Sequence, residues 1–280
     1  MTIETSAAFY DRITLSELSL TTISILLVIC LPGALVLGNR IGMGRQRRLA
    51  AQGRTVGPAM SDTTQAAFQA LLGLLLAFSF GNALTVSQKI KEAIASESAA
   101  IGTAFVRADY LPEPGRSELR RALLAYAQTR VVPENEVFGG RGDTRRFLER
   151  TLSAQAALWP ATRAATAGVE APIQAFVAGA MNEVIYAHTY RVSSLSAPVT
   201  TFTQQMLFFG AIATLFIMGN RTGLMGQALT WRDIAFALFL CAVMYSVVEI
   251  RRPREGLIRV DDSVMRTTIH DMELSVMSGP

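Results

Sequence analysis

Side chains able to do bond-making chemistry are few in this 280-residue sequence. Its two histidines, His188 and His270, lie far apart, and neither stands in a metal-ligand spacing. Its two cysteines, Cys30 and Cys241, each fall inside a long apolar run, where a free thiol packs as a small hydrophobe. Neither a phosphate-cradling glycine loop nor a nucleophile elbow occurs. The sequence therefore argues against an enzyme and calls for no cofactor and no metal. His188 falls on an apolar helical stripe and reads as a hydrogen-bonded core histidine.

Polar groups inside apolar runs are more informative, because they are costly in hydrocarbon. Gln69 and Asn82 interrupt the run Ala66–Thr85, and Asn82 follows Phe78, Phe80 and Gly81. In one reading this run lines a pore, with Phe78 and Phe80 as an apolar constriction that blocks ions by drying and Asn82 as a polar ring. In the other, Gln69 and Asn82 hydrogen-bond between packed helices and the phenylalanines face lipid. Gly73, Ala77 and Gly81 recur every four positions and form a close-packing face.

A third group is charged or polar: Glu97, Thr103 and Arg107 beyond that run, and Asn182, Glu183 and Arg191 before the next one. Both segments lead toward one membrane face, so Glu97 and Arg107 are placed to meet Arg191 and Glu183. The outcome is either a structural salt-bridge network or an ion or ligand site at a pore mouth.

The elements that must position these residues follow from hydropathy. Half of the residues are hydrophobic, 17% are charged and the net charge is +4; mean hydropathy is +0.32. That composition is the reverse of a disordered chain, and no concentrated basic patch marks a nucleic-acid partner. A helix crossing a bilayer needs roughly 20 apolar residues. Four stretches qualify: Leu18–Leu37, Ala66–Thr85, about Val199–Gly219 and about Trp231–Ile250. Pro32 within the first is tolerable where neighbours satisfy the freed carbonyl.

The expected order is an N-terminal segment (1–17), the first two spans with a basic loop (18–85), a helical extramembrane domain (86–198), the last two spans (199–250) and a basic C-terminal tail (251–280). Four spans put both termini and the central domain on one side. The arginines of the first loop and those of the tail point to opposite orientations under the positive-inside rule.

The central domain reads as helices. Ile90, Ile94, Ile101 and Phe105 share a stripe, and no proline interrupts the run from about Asp62 to Asp109, which predicts one helix of roughly 70 Å. The sequence Leu111-Pro112-Glu113-Pro114-Gly115 breaks it. Arg116–Val132 aligns Leu119, Leu123 and Tyr126; Val131–Gly142 is a turn-rich connector; Thr144–Trp159 is a helix that Pro160 should close. Glu170–Val192 places Ile173, Phe176, Val177, Ala180, Met181, Val184, Ile185 and His188 on one face. The fold class is all-α: four transmembrane helices with a helical domain inserted between the second and third.

These motifs resemble the bacterial bestrophin-like domain family. Its block E-x-x-x-I/L-G-T-x-x-x-R-A followed by L-P is matched by Glu97, Ile101, Gly102, Thr103, Arg107, Ala108, Leu111 and Pro112. Asn182, Glu183, Arg191 and Pro198 are similar to its N-E…R…P approach to the third span. Glu249–Val260 resembles its E-L-D-x-P-F-x-G-L-I-R-V tail, with Arg251 and Arg254 where the family has Asp and Phe. The likeness spans about residues 62–270. It implies four spans with a helical aqueous domain in the cell membrane, a bacterial inner membrane by that resemblance. Through bestrophins, which are pentameric anion channels, it implies a homo-oligomer that passes an anion.

Two functions are thus in competition. One is an oligomeric bestrophin-like anion channel in the lipid bilayer; the other is a non-conducting membrane scaffold whose helical domain binds a partner protein.

Overall fold

A computed structural model describes residues 20–53, 62–131, 141–195, 201–250 and 261–278. Residues 1–17, most of the connector after Val131, Pro198 and the arginine-rich block 251–260 lie outside the described residues, so expectations about them are not taken further.

The described chain is all-α, with no strand among the described residues. The helices are α1 (Leu20–Ala51), α2 (Asp62–Arg107), α3 (Gly115–Gln128), α4 (Arg141–Ala165), α5 (Ala171–Leu195), α6 (Thr201–Leu224), α7 (Trp231–Ile250) and α8 (Ser263–Met277). Helices α1, α2, α6 and α7 are long and apolar enough to cross a membrane. The described residues form two compact units, one within 18–85 and 198–258, the other within 86–197 and 259–280.

In the membrane unit, a repeat in the sequence dictates how α1 meets α6. Gly38-Asn39-Arg40-Ile41-Gly42 in α1 is echoed by Gly219-Asn220-Arg221-Thr222-Gly223 in α6. A methyl group built on Gly38 would lie 2.2 Å from the Phe216 carbonyl oxygen, and one on Gly219 only 2.0 Å from that of Leu35. Gly42 and Gly223 are equally tight, each 2.2 Å from the carbonyl of Asn220 and Asn39 respectively. Small residues four apart let helix backbones touch in this way. The contacts advance in the same direction along both helices, so α1 and α6 are parallel.

Asparagines seal the seam. Asn39 Nδ2 donates to the carbonyls of Gly219 (3.4 Å) and Gln227 (3.2 Å), and Asn220 Nδ2 donates to that of Gly38 (3.5 Å). Helix α2 runs the other way: Arg221 Nη1 donates to Gln65 Oε1 at 2.9 Å, while Gly210 sits near Leu72. Helices α1 and α6 parallel with α2 antiparallel is the arrangement that alternating spans require. Leu31, Leu35, Leu72, Leu215, Ala237 and Leu240 fill the core between them.

In the aqueous unit the predicted stripe is buried: Ile90, Ile94, Ile101 and Phe105 are all under 5% exposed. They pack with Leu119, Leu123 and Tyr126 of α3 and with Val177, Met181 and Val184 of α5. Helix α2 runs unbroken for 46 residues and ends in a 3-10 turn at Ala108–Tyr110, just before the proline pair.

Two expectations need correction. Helix α4 does not close at Pro160 but continues to Ala165. Leu158 and Ala165 lie two turns apart on one buried stripe, and their burial outweighs the one hydrogen bond that proline removes. The segment read as a tail contains α8, whose Met265 and Met272 are 0% and 3% exposed within the same core. Hydrogen bonds fix it: Ser98 to Thr268 (2.7 Å) and Gln128 Nε2 to Glu273 (2.8 Å).

Candidate functional site

The strongest polar assembly lies in the core of the aqueous unit and is built around Glu97. This residue continues the apolar stripe of α2, three positions after Ile94 and four before Ile101, so the helix aims a carboxylate into the core. Its exposure is 0%. Helix α5 supplies His188 and Arg191, one turn apart on its buried face, and α3 supplies Tyr126, with Arg130 one turn on.

Glu97 is satisfied from three sides. Arg191 Nη1 donates to Oε2 at 2.7 Å, Tyr126 Oη donates to Oε1 at 2.6 Å, and Arg130 Nε stands 2.8 Å from Oε1. Arg191 Nη2 also donates to the Arg130 carbonyl at 3.3 Å. Tyr126 Oη lies 3.0 Å from His188 Nδ1. Because the tyrosine hydroxyl has one proton and gives it to Glu97, Nδ1–H of His188 must donate to Tyr126 Oη. Neutral His188 then carries its lone pair on Nε2, which is buried without a partner.

The electrostatics agree with that assignment. Burial alone would raise the Glu97 carboxyl, but Arg130 and Arg191, with hydrogen bonds from Tyr126 and Arg191, hold it at about 2. Burial lowers His188 to about 4, with Arg130 and Arg191 adding to the effect and Glu97 opposing it. Burial and the neighbouring Glu97 charge push the Tyr126 hydroxyl well above its ordinary value against the pull of Arg130, so it stays a donor. At neutral pH the site holds one carboxylate, two guanidinium groups and a neutral imidazole.

Both acidic shifts act in one direction. Between about pH 6.5 and 4 the unfolded chain takes up a proton on His188 that the folded chain refuses, and from 4.5 to about 2 the same holds for Glu97. Stability is therefore complete at neutral pH and is lost on acidification. The melting temperature of detergent-solubilised protein should begin to fall below about pH 6.5. His188→Gln should postpone that fall to the Glu97 range; a melting temperature that climbs on acidification would contradict the assignment.

Of the residues singled out in the sequence, Glu97 and Arg191 meet here, while Thr103, Arg107, Asn182 and Glu183 stay outside. Thr103, Asn182 and Glu183 are exposed. Arg107 Nη1 donates to the Phe176 carbonyl at 3.2 Å, and its guanidinium lies 4.3 Å from the centre of the Phe176 ring. That stacking, with Tyr110 edge-on at 5.3 Å, holds Phe176 on the surface at 41% exposure although its spacing placed it on the buried face. Tyr126 and Arg130 complete the cluster; the sequence placed Tyr126 only on the stripe of Leu119 and Leu123, and nothing in it singled out Arg130. Among the described residues no group of three or more His, Cys, Asp or Glu is placed to hold a metal ion.

In the membrane unit, Phe78 is 69% exposed and Phe80 38%, and Asn82 is also exposed. Gln69 is half-buried. Methyl groups built on Gly73 or Gly81 would meet nothing within 4 Å, so that face of α2 is open within the chain.

The bestrophin-like domain matches residues 33–265. The chain belongs to the bestrophin-like family. No curated protein matches it. Crystal structures of two variants of a bacterial bestrophin homologue from Klebsiella pneumoniae share its fold, with TM-scores of 0.54 and 0.55. Each is 14% identical, and each alignment covers 90% of this chain and 99% of the homologue. This bestrophin-like chain is thus a multi-pass membrane protein, and its Glu97 cluster sits within the matched region.

Proposed function

We propose that the chain forms a homo-oligomeric ion channel whose second spans surround the pore axis. The observation that carries this reading is the openness of α2. Only 11% of its apolar stretch is buried within the chain, against 28%, 39% and 33% for the other three spans. Its buried side is narrow, centred on Leu72 and Ala83. Turned away from that side are Leu74, Phe78 and Asn82, at four-residue spacing and about 40° apart around a helix, with Leu74 opposite the buried residues and Asn82 on their flank. An exposed asparagine in an apolar span is costly against lipid but not against water or a neighbouring protein.

Helical geometry divides the two phenylalanines. Phe80 lies two residues from Phe78, about 200° round the helix, so only one of them faces a given axis. Phe78, sharing its face with Asn82, is the narrow point, and Phe80 packs toward a neighbour or lipid. Selectivity for anions draws support from Lys89, exposed and on the same stripe seven residues beyond Asn82. Repeated around an axis it forms a basic ring, and such rings favour anions.

The scaffold reading draws on exposed aromatics of the aqueous unit, Tyr110 at 62% and Tyr186 at 73%. It predicts no flux. Purified protein in liposomes, with its oligomeric mass measured in parallel, separates the two. The channel reading expects ion flux from an oligomer, raised several-fold by Phe78→Ala, with selectivity altered by Asn82→Leu. A monomer, or an absence of flux with both Phe78→Ala and Phe80→Ala, would replace it with the scaffold.

A further inference from the structure

Within the aqueous unit, α5 and α8 flank α2 on opposite sides. Around α2, Ser98 and Gly102 lie to one side of the buried Ile94–Ile101 stripe, and Glu97 and Arg107 lie to the other. Ser98 meets Thr268 of α8 at 2.7 Å, and a methyl group built on Gly102 would lie 3.7 Å from Thr268 Cγ2. Glu97 meets Arg191 of α5, and Arg107 meets Phe176. The two flanking helices therefore turn their free faces away from each other.

Each free face has the spacing of a helix-packing seam, alternating four and three residues. On α5, turned away from the buried Val177, Met181 and Val184, it runs through positions 175, 179, 182, 186 and 189. Tyr186 stands 73% exposed there, one position after Gly179, on which a methyl group would meet nothing within 4 Å. On α8, turned away from the buried Met265 and Met272, it runs through positions 267, 270, 274 and 277. Leu274 is 48% and Met277 74% exposed. One face thus offers a large aromatic beside a glycine gap, and the other offers flexible apolar side chains of the kind that fill such gaps.

The size of the strip decides what covers it. Helix α8 has 15 residues, which gives a strip about 22 Å long and roughly 10 Å wide. That is well short of the roughly 800 Å² per partner that a free-standing complex buries. A separate protein would not hold there. A second copy tethered through the membrane spans needs far less area, because its effective concentration is already high. Two unlike faces also suit several copies around an axis: a face that meets itself closes at two, whereas unlike faces on opposite flanks build a ring.

We propose that the outer face of α5 in each copy packs on the outer face of α8 in the next, with Tyr186 against Leu274 and Met277. The contact rests on the homo-oligomeric reading above and adds to it the surface through which the aqueous units join, head to tail. Tyr186, which the scaffold reading offers to a separate protein, is then covered by a copy of the chain itself.

Full-length protein in native membranes tests this, with Cys30 and Cys241 replaced by Ser and a short bis-maleimide as cross-linker. Tyr186→Cys and Leu274→Cys are made singly and together; both sites are exposed, so neither change disturbs the core. Each single variant should stay monomeric on a denaturing gel, and the two co-expressed should give dimers. The double variant should give a ladder of covalent multimers whose top rung counts the copies. A double variant that stays monomeric while Asn82→Cys still cross-links would overturn this contact and leave the oligomeric pore standing; if neither cross-links, both fall. Dimers from Tyr186→Cys alone would replace the contact with a face that meets itself, and an adduct to a different protein would overturn it in favour of a separate partner.

Discussion

Gly219→Val should separate α1 from α6 and destabilise the membrane unit by about 3 kcal/mol or more, the upper range for overpacking a rigid core. The added carbons would meet backbone, since the nearest atom is the Leu35 carbonyl oxygen at 2.0 Å, and the Asn39 nitrogen is at 3.0 Å. No rotamer change relieves a clash with backbone; the helices must part. Parting them also withdraws Asn39 from the carbonyls of Gly219 and Gln227, leaving a buried amide unpaired. Gly38→Val, the reciprocal change, should cost about as much. Gly44→Ala on α1 is the control: its methyl meets nothing within 4 Å, so removing a helical glycine should be neutral or should stabilise by up to about 1 kcal/mol. Unfolding in mixed micelles would compare the three. If Gly219→Val and Gly44→Ala melt alike, the tight seam is wrong.

Glu97→Ala should cost about 3–5 kcal/mol, the range for breaking a buried ion pair. Removing the carboxylate leaves two guanidinium groups facing each other in the core, with Tyr126 robbed of its acceptor. Arg191→Met should cost less, because the remaining Glu97 and Arg130 are balanced and 2.8 Å apart. The ordering discriminates more sharply than either value. An Arg191→Met variant as unstable as Glu97→Ala would show that Arg191 acts by packing or by its bond to the Arg130 carbonyl rather than through charge.

What the sequence disclosed, and what it hid, follows from the range of the interactions. The four spans and the stripe Ile90–Ile94–Ile101–Phe105 are local patterns repeated along one helix, and they were legible. So was the break at Leu111-Pro112. Pro160 misled because a single lost hydrogen bond is a local rule, while the burial of Leu158 and Ala165 on both sides of it is a tertiary fact. Phe176 was misplaced for the converse reason, as Arg107 gives it a surface partner from another helix. Helix α8 was hidden by the arginines that precede it.

The site was half legible. A glutamate in register with buried isoleucines announces a buried counter-charge, and Arg191 was an available partner. Arg130 and Tyr126 required knowing that α3 folds back against α2. The repeat Gly38-Asn39-Arg40-Ile41-Gly42 and Gly219-Asn220-Arg221-Thr222-Gly223 was in plain view as a pentapeptide, yet its meaning is only evident once the two segments touch.

Phe78 and Asn82 facing a common axis is the claim on which the channel reading stands, and cross-linking in native membranes tests it most directly. With Cys30 and Cys241 replaced by Ser, single cysteines are placed by Phe78→Cys or Asn82→Cys and treated with a mild oxidant. The channel reading brings the second spans of neighbouring copies close enough to form disulfides, and predicts covalent dimers on a denaturing gel, reversed by reductant. Chains that remain monomeric at both positions, in membranes where the protein is folded, would contradict it.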